Sequence, residues 1–237
     1  MRANSRPVSS NQPGPHEHLP AIVRKHAQST FLKPLSPASC AAFDRAVAAW
    51  RRHGGALILD AGCGVGLSTR RLAAGHPESF VIGVDQSADR LQREVRWNGA
   101  PPDNFITVRA DLVDFWRLMH RDGIRPAQHF LLYPNPWPKK DQIGRRWHGH
   151  PVFPTVIALG GEIECRSNWQ TYVEEFAGAL AQLTGVAAVA EPFAADPAAP
   201  LTPFEEKYLK SGHALWRCRA AVPTACASAG VIPFPAF

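Results

Sequence analysis

Residues 56–66 read Ala-Leu-Ile-Leu-Asp-Ala-Gly-Cys-Gly-Val-Gly, and this stretch decides the fold. Ala56 to Ala61 is a short apolar run, the mark of a buried strand. Glycines then stand at every second position, Gly62, Gly64 and Gly66. Glycine takes positive φ and lets a backbone pass close to a ligand where a side chain would clash. Phe80 to Val84 (FVIGV) is a second buried run, closed by Asp85. An acidic residue at that strand end is placed to accept from both hydroxyls of a ribose. The dinucleotide fingerprint G-x-G-x-x-G does not fit, because Leu67 and Thr69 stand where its last glycine would fall.

Working outward, Phe105 to Arg109 predicts a third strand ending before Asp111, and Ala127 to Tyr133 a fourth. Gly160-Gly161 turns into Glu162 to Arg166, the fifth, while Val186 to Ala190 and Ala214 to Arg219 read as a closing pair. Helices are expected from Ser36-Pro37 to Gly54, after Ser68 as a cap, from Ser87 through about Trp97, and over Tyr172, Phe176, Leu180 and Leu183. Strands alternating with helices give an α/β fold: a doubly wound, mostly parallel, seven-stranded, Rossmann-like sheet.

The 237 residues fit one such domain with tails, and the formal charge of +6 weakly favours a polyanionic partner. Residues 1–22 are rich in Ser, Pro, Asn and His and lack an apolar signal core, so they read as a disordered tail. The domain is expected over 23–219, followed by an irregular, proline-rich tail over 220–237. Five scattered cysteines (Cys40, Cys63, Cys165, Cys218, Cys226) lack metal-ligand spacing and point to reduced thiols in a cytoplasm. Cys63 and Cys165 read as small core residues. The ten histidines show no ligand set, so no metal is expected. No apolar run approaches the length of a membrane span, so no membrane partner is expected.

The fourth strand runs into Tyr133-Pro134-Asn135-Pro136-Trp137-Pro138-Lys139-Lys140. Alternating prolines hold Asn135, Trp137 and Lys139 in a stiff loop at a strand's carboxyl end, where open α/β sheets place ligands. An amide, an indole and ammonium groups suit a base and a phosphate. Lys139, Lys140, Arg145, Arg146 and His148 read together as a mobile basic flap for RNA phosphates, with Trp137 or Trp147 free to stack on an extruded base. Arg24 and Lys25 could extend the track.

The every-second-glycine loop after Asp60 resembles the motif of class I S-adenosylmethionine methyltransferases. That resemblance implies S-adenosylmethionine as cofactor, held by Asp60, Gly62, Gly64, Gly66 and Asp85, with Asp111 and the Leu112 amide meeting the adenine. A narrower resemblance, from about Val23 to Arg219, is to the bacterial tRNA (guanine-N7)-methyltransferases. It is carried by DAGCGVG, YPNPWPKK with Arg145-Arg146, GGEIECRSNWQTY, and Thr202-Pro-Phe204-Glu205 with Gly212-His213. It implies transfer of a methyl group to N7 of a guanine in the variable loop of tRNA. It also implies a guanine pocket lined by Asn135, Asn168, Thr202 and Glu205, of which Asn135 and Glu205 are the expected catalytic positions. Asn135 stands where the family has the aspartate of F-P-D-P-W, Asn168 where it has that of T-D-W, and Ser167 replaces the threonine.

Guanine N7 carries an in-plane lone pair and no proton, so attack on a sulfonium methyl needs no general base. Positioning and electrostatics are expected in place of a Ser-His or Cys-His pair. The two asparagines keep two other readings open: a methyltransferase for another RNA or a small molecule, and a non-catalytic RNA-binding paralogue.

Overall fold

The computed structural model describes residues 5–223. Its strands are β1 (Ala56–Ala61), β2 (Ser79–Asp85), β3 (Phe105–Arg109), β4 (Gln128–Leu132), β5 (Gly161–Ser167), β6 (Glu191–Pro192) and β7 (Trp216–Val222). They form one 7-stranded sheet in the order β3-β2-β1-β4-β5-β7-β6. β1 to β5 are parallel, while β7 runs antiparallel to β5 and to β6. The helices are α1 (Leu19–Ala27), α2 (Pro37–His53), α3 (Leu67–Gly75), α4 (Ala88–Leu91), α5 (Leu112–Arg121), α6 (Phe153–Ala158), α7 (Gln170–Thr184) and α8 (Pro203–Lys210).

Successive side chains of a strand point to opposite faces, and β1 uses both. Leu57 and Leu59 join the core with Phe43 of α2, Phe115 of α5, Phe153 of α6 and Phe176 of α7. Ile58 joins the opposite core with Leu72 and Ala73 of α3, Phe130, Leu132 and Leu215. Apolar burial on two faces explains the continuous runs that made the strands readable. The strand order reverses between β1 and β4, so the loops after Ala61 and Leu132 leave the same carboxyl edge side by side. That is the ligand-binding crevice of a doubly wound sheet.

Three expected elements differ. The expected strand Val186 to Ala190 is extended without ladder pairing, and only Glu191–Pro192 bonds to β7, at Arg217 and Trp216. Val186, Ala188 and Ala190 still turn inward alternately, which produced the strand-like pattern. The helix opened by Ser87 stops at Leu91 rather than Trp97, and Gln92, Arg93 and Glu94 directly beyond it are polar and exposed. Ser68 does not cap α3; Gly66, with φ +78°, does, and the Ser68 hydroxyl turns inward to Asp60.

The segment expected as a disordered tail is laid on the domain in its described part. Ser10 Oγ donates to the Pro138 carbonyl (2.6 Å), the Lys140 amide donates to Asn11 Oδ1 (3.1 Å), and Gln12 and His16 are buried. It then enters α1. At the other end β7 extends to Val222, while most of the expected second tail and Cys226 lie outside the described residues.

The glycine loop rests on Asp60, which is buried and accepts from Ser68 Oγ (2.6 Å) and Thr69 Oγ1 (2.7 Å). Gly83 makes room beneath it: a Cβ there would lie 2.3 Å from Thr69 Oγ1. Burial pushes the Asp60 carboxyl from 3.8 to about 6; the two hydroxyl bonds oppose this and the charge of Asp85 adds to it. A carboxyl raised on folding binds its proton more tightly when folded. Its contribution is therefore intact below about pH 4 and declines as pH climbs to about 6. The Asp60→Asn variant is expected to remove that decline, seen as a flatter pH profile of urea unfolding than the wild type shows over the same window. Parallel profiles would contradict the assignment.

Candidate active site at the carboxyl edge

Gly62, Gly64 and Gly66 all have positive φ, as an alternate-glycine loop requires. The Gly62 and Cys63 amides donate to the Val84 carbonyl (2.8 and 3.0 Å), tying the loop to β2. Asp85 closes the same contact: its Oδ2 accepts from the Gly64 amide (2.9 Å) and its Oδ1 from the Ser87 amide (2.8 Å). A carboxylate offers about four acceptor sites; these amides take two, and Arg90 Nη1 lies 3.6 Å from Oδ2. Asp111 caps α5 by accepting from the Val113 amide (2.9 Å) and pairs with Lys33 at 2.5 Å. Leu112 reaches toward Gly62, its Cδ1 lying 3.9 Å from where a Cβ on Gly62 would be.

These residues fit S-adenosylmethionine. A Cβ on Gly64 would meet nothing within 4 Å, so the loop borders open ground. The acids at the strand ends, Asp85 and Asp111, accept from hydroxyls and amines and would repel a pyrophosphate. Asp60 acts one layer lower, through Ser68 and Thr69, and is closed to a ligand. Cys63 and Cys165 are buried, with thiols raised well above their ordinary range by burial, as befits core residues. No group of three or more His, Cys, Asp or Glu suited to a metal occurs among the described residues.

Across the crevice the proline loop leaves β4 under strain. Tyr133 (φ +52°) and Trp137 (φ +44°) are non-glycine residues in the left-handed region, each costing about 1–3 kcal/mol that the surroundings must offset. Asn135 is exposed, and its Oδ1 accepts weakly from the Trp137 amide (3.4 Å). The Tyr133 hydroxyl donates to Glu205 Oε2 (2.6 Å), which also accepts from Arg166 Nη1 (2.9 Å). Glu205 Oε1 accepts from the Leu201 amide (2.8 Å). Thr202 is the cap of α8, its Oγ1 accepting from the Glu205 amide (2.9 Å). Asn168 Nδ2 lies 3.0 Å from His213 Nδ1, while His213 Nε2 lies 2.9 Å from the Ser5 carbonyl. A carbonyl only accepts, so Nε2 donates to Ser5 and Nδ1 accepts from the Asn168 amide, a bond that does not use the Asn168 Oδ1.

The basic segment is not a mobile flap. It forms two 3-10 turns, Lys140–Arg145 and Trp147–Gly149, seated by the buried Ile143. Arg146, expected on phosphates, is fully buried. Its Nη1 pairs with Glu175 (2.5 Å), its Nε donates to the Trp137 carbonyl (3.1 Å), and its Nη2 donates to Gln12 Oε1 (3.1 Å) and the Lys139 carbonyl (3.3 Å). Burial alone would raise Glu175; the hydrogen bond from His148 and the pairing with Arg146 outweigh it and hold the carboxyl at about 2. His148 is equally buried, and burial lowers its imidazole below the ordinary value. Trp147 packs edge-on against Trp116 in the core (4.8 Å between ring centroids) and cannot stack on a base. What stays at the surface is Lys139, Lys140 with its Glu17 partner, and Arg145 stacked over Trp137 at 4.6 Å.

Sequence reading missed Glu175, Arg166 and the Tyr133 hydroxyl as parts of the site. A charge standing inside an otherwise apolar strand or helix face (Arg166, Glu175) was the available signal, but its partners lie far away in the chain. The two neighbouring arginines give a sharp test. Arg146→Gln leaves the buried Glu175 without its guanidinium partner and is expected to cost about 3–5 kcal/mol in urea unfolding. Arg145→Gln is expected to stay within about 0.5 kcal/mol of the wild type. Equal losses would overturn the division.

Comparison with known proteins identifies the family. Residues 55–218 match the family model described as "Putative methyltransferase". The chain is 30% identical over 166 residues to a tRNA (guanine-N(7)-)-methyltransferase of Thiobacillus denitrificans, covering 67% of this chain and 72% of the relative. It is 26% identical over 200 residues to one of Methylobacillus flagellatus, covering 81% and 84%. Among solved structures, a 16S rRNA (adenine(1408)-N(1))-methyltransferase from Catenulisporales acidiphilia superposes with a TM-score of 0.53 at 21% identity, over 81% of this chain and 93% of that one. This last likeness concerns the fold, a class I methyltransferase sheet. The chain belongs to the tRNA (guanine-N(7)-)-methyltransferase family.

Proposed function

We propose that this protein transfers the methyl group of S-adenosylmethionine to N7 of a guanine in the variable loop of tRNA. The observation that carries the reading is that three of the four family segments, 133–140, 160–172 and 202–213, meet at one carboxyl edge. Tyr133, Arg166 and Glu205 are joined there by two hydrogen bonds, and Asn168 meets His213. The glycine loop opens beside them at the strand-order reversal.

When bound, the cofactor supplies an electrophilic methyl group on a sulfonium. The chain's own work is positioning. Asp85 and Asp111 present acceptors at adjacent strand ends, with the Ala110 amide donating to the Asp85 carbonyl between them (3.2 Å). Asn135 stands on a loop whose backbone is held by Arg146 through the Trp137 and Lys139 carbonyls, so the position of its exposed side chain is set before a base arrives. Trp137 and Arg145 offer a flat, cationic surface for a base, while Lys139 and Lys140 offer charge to phosphates. No side chain has to remove a proton from N7. The absence of a buried Ser-His or Cys-His pair from the required chemistry therefore costs nothing. Arg146 and His148 belong to the support of this surface and not to the RNA track.

A tRNA carrying 7-deazaguanosine at the variable-loop acceptor, in an otherwise unmodified transcript, tests both the atom and the position. That analogue keeps the Watson–Crick edge and lacks the N7 lone pair. Methyl uptake is expected to vanish with it and to persist when the analogue is placed at other guanosines. Undiminished uptake would move the reaction to another atom or another base.

A further inference from the structure

Glu205 is expected to accept from the base, yet it is 1 % exposed and already accepts three hydrogen bonds, which leaves at most one of a carboxylate's roughly four acceptor sites for the two guanine donors. Leu201 takes Oε1, while Tyr133 and Arg166 share Oε2. Arg166 is itself shared with Glu164 (2.5 Å) and lies over the Phe193 ring at 4.3 Å, so it cannot easily withdraw. Of the three tethers, the Arg166 guanidinium and the Leu201 amide are parts of buried scaffolding. The Tyr133 hydroxyl alone is a single removable oxygen, on a ring that packs against Tyr208 at 5.6 Å.

We propose that the Tyr133 hydroxyl is a specificity-determining group: it withholds Glu205 from the substrate and leaves purine recognition to the amides of Asn135 and Asn168. This rests on the reading of the site as one that takes guanine. A free carboxylate only accepts, and so selects the N1–H and 2-amino donors of guanine. An amide both donates and accepts, and makes a weaker demand for the 2-amino group. With Glu205 tied back, the 2-amino group of the target contributes little, and inosine at the same position is methylated at a rate close to that of guanosine.

The test compares guanosine and inosine at the target position of one tRNA, for the wild type, Tyr133→Phe and Tyr133→Phe/Glu205→Gln, with cofactor affinity measured in parallel. Tyr133→Phe keeps the ring and is expected to raise the guanosine-to-inosine ratio of kcat/KM about tenfold, the scale of a charged against a neutral hydrogen bond. The double variant is expected to lose that gain. A Tyr133→Phe enzyme with an unchanged ratio would overturn the inference and leave the proposed function standing, whether the overall rate falls or not. A wild type that binds cofactor yet methylates neither tRNA would overturn the proposed function, and the inference with it.

Discussion

Arg146 paired with Glu175 is the interaction on which the site wall depends. Both side chains are without solvent contact, and taking two charges out of water is recovered only where every remaining donor and acceptor is met. Here that condition recruits four parts of the chain. Arg146 holds the carbonyls of Trp137 and Lys139, and Glu175 accepts from Gln12, the His16 amide and His148. The strained proline loop, the described N-terminal segment and α7 are thereby fixed against one another. Trp169 lies under the same guanidinium at 4.8 Å, next to Asn168. A pair that looks like surface charge in the sequence sets where two substrate-side amides stand.

The second consequence concerns charge at the reaction centre. Asn135 and Asn168 are neutral, and Glu205 is bonded to Arg166, so the substrate side of the crevice carries no free carboxylate among the expected residues. The cofactor side carries Asp85 and Asp111. Both are paired as well, Asp111 with Lys33 and Asp85 with Arg90 at 3.6 Å, so a bound sulfonium would find no free carboxylate among these residues and would share the site with the uncharged dipoles of Asn135 and Asn168. Methyl transfer to N7 generates positive charge on the purine, which such dipoles stabilise less than carboxylates would. The arrangement fits a positioning enzyme whose rate comes from alignment more than from charge compensation.

The sheet was legible because parallel strands buried on both faces must be apolar throughout, and ALILDA, FVIGV and FLLY announce themselves. The alternate-glycine loop was legible because its backbone demands glycine, with φ positive at Gly62, Gly64 and Gly66. The failures share one cause: a side chain's role here is set by partners distant in sequence. Arg145 and Arg146 are adjacent and chemically identical, yet one stacks at the surface and the other is buried against a residue 29 positions on. Ser68 looked like a cap, and Asp60 eight positions away claimed its hydroxyl. Residues 5–18 have the composition of a tail, but their hydrogen bonds to Pro138, Lys140 and Glu175 hold them on the domain.

The most direct measurement is methyl transfer from labelled S-adenosylmethionine to bulk tRNA lacking 7-methylguanosine, followed by mass analysis of the nucleosides. Label recovered as 7-methylguanosine is the expected result, and would establish that a pocket with two asparagines supports the reaction. Label in any other nucleoside, or none from a protein that binds the cofactor, would contradict it.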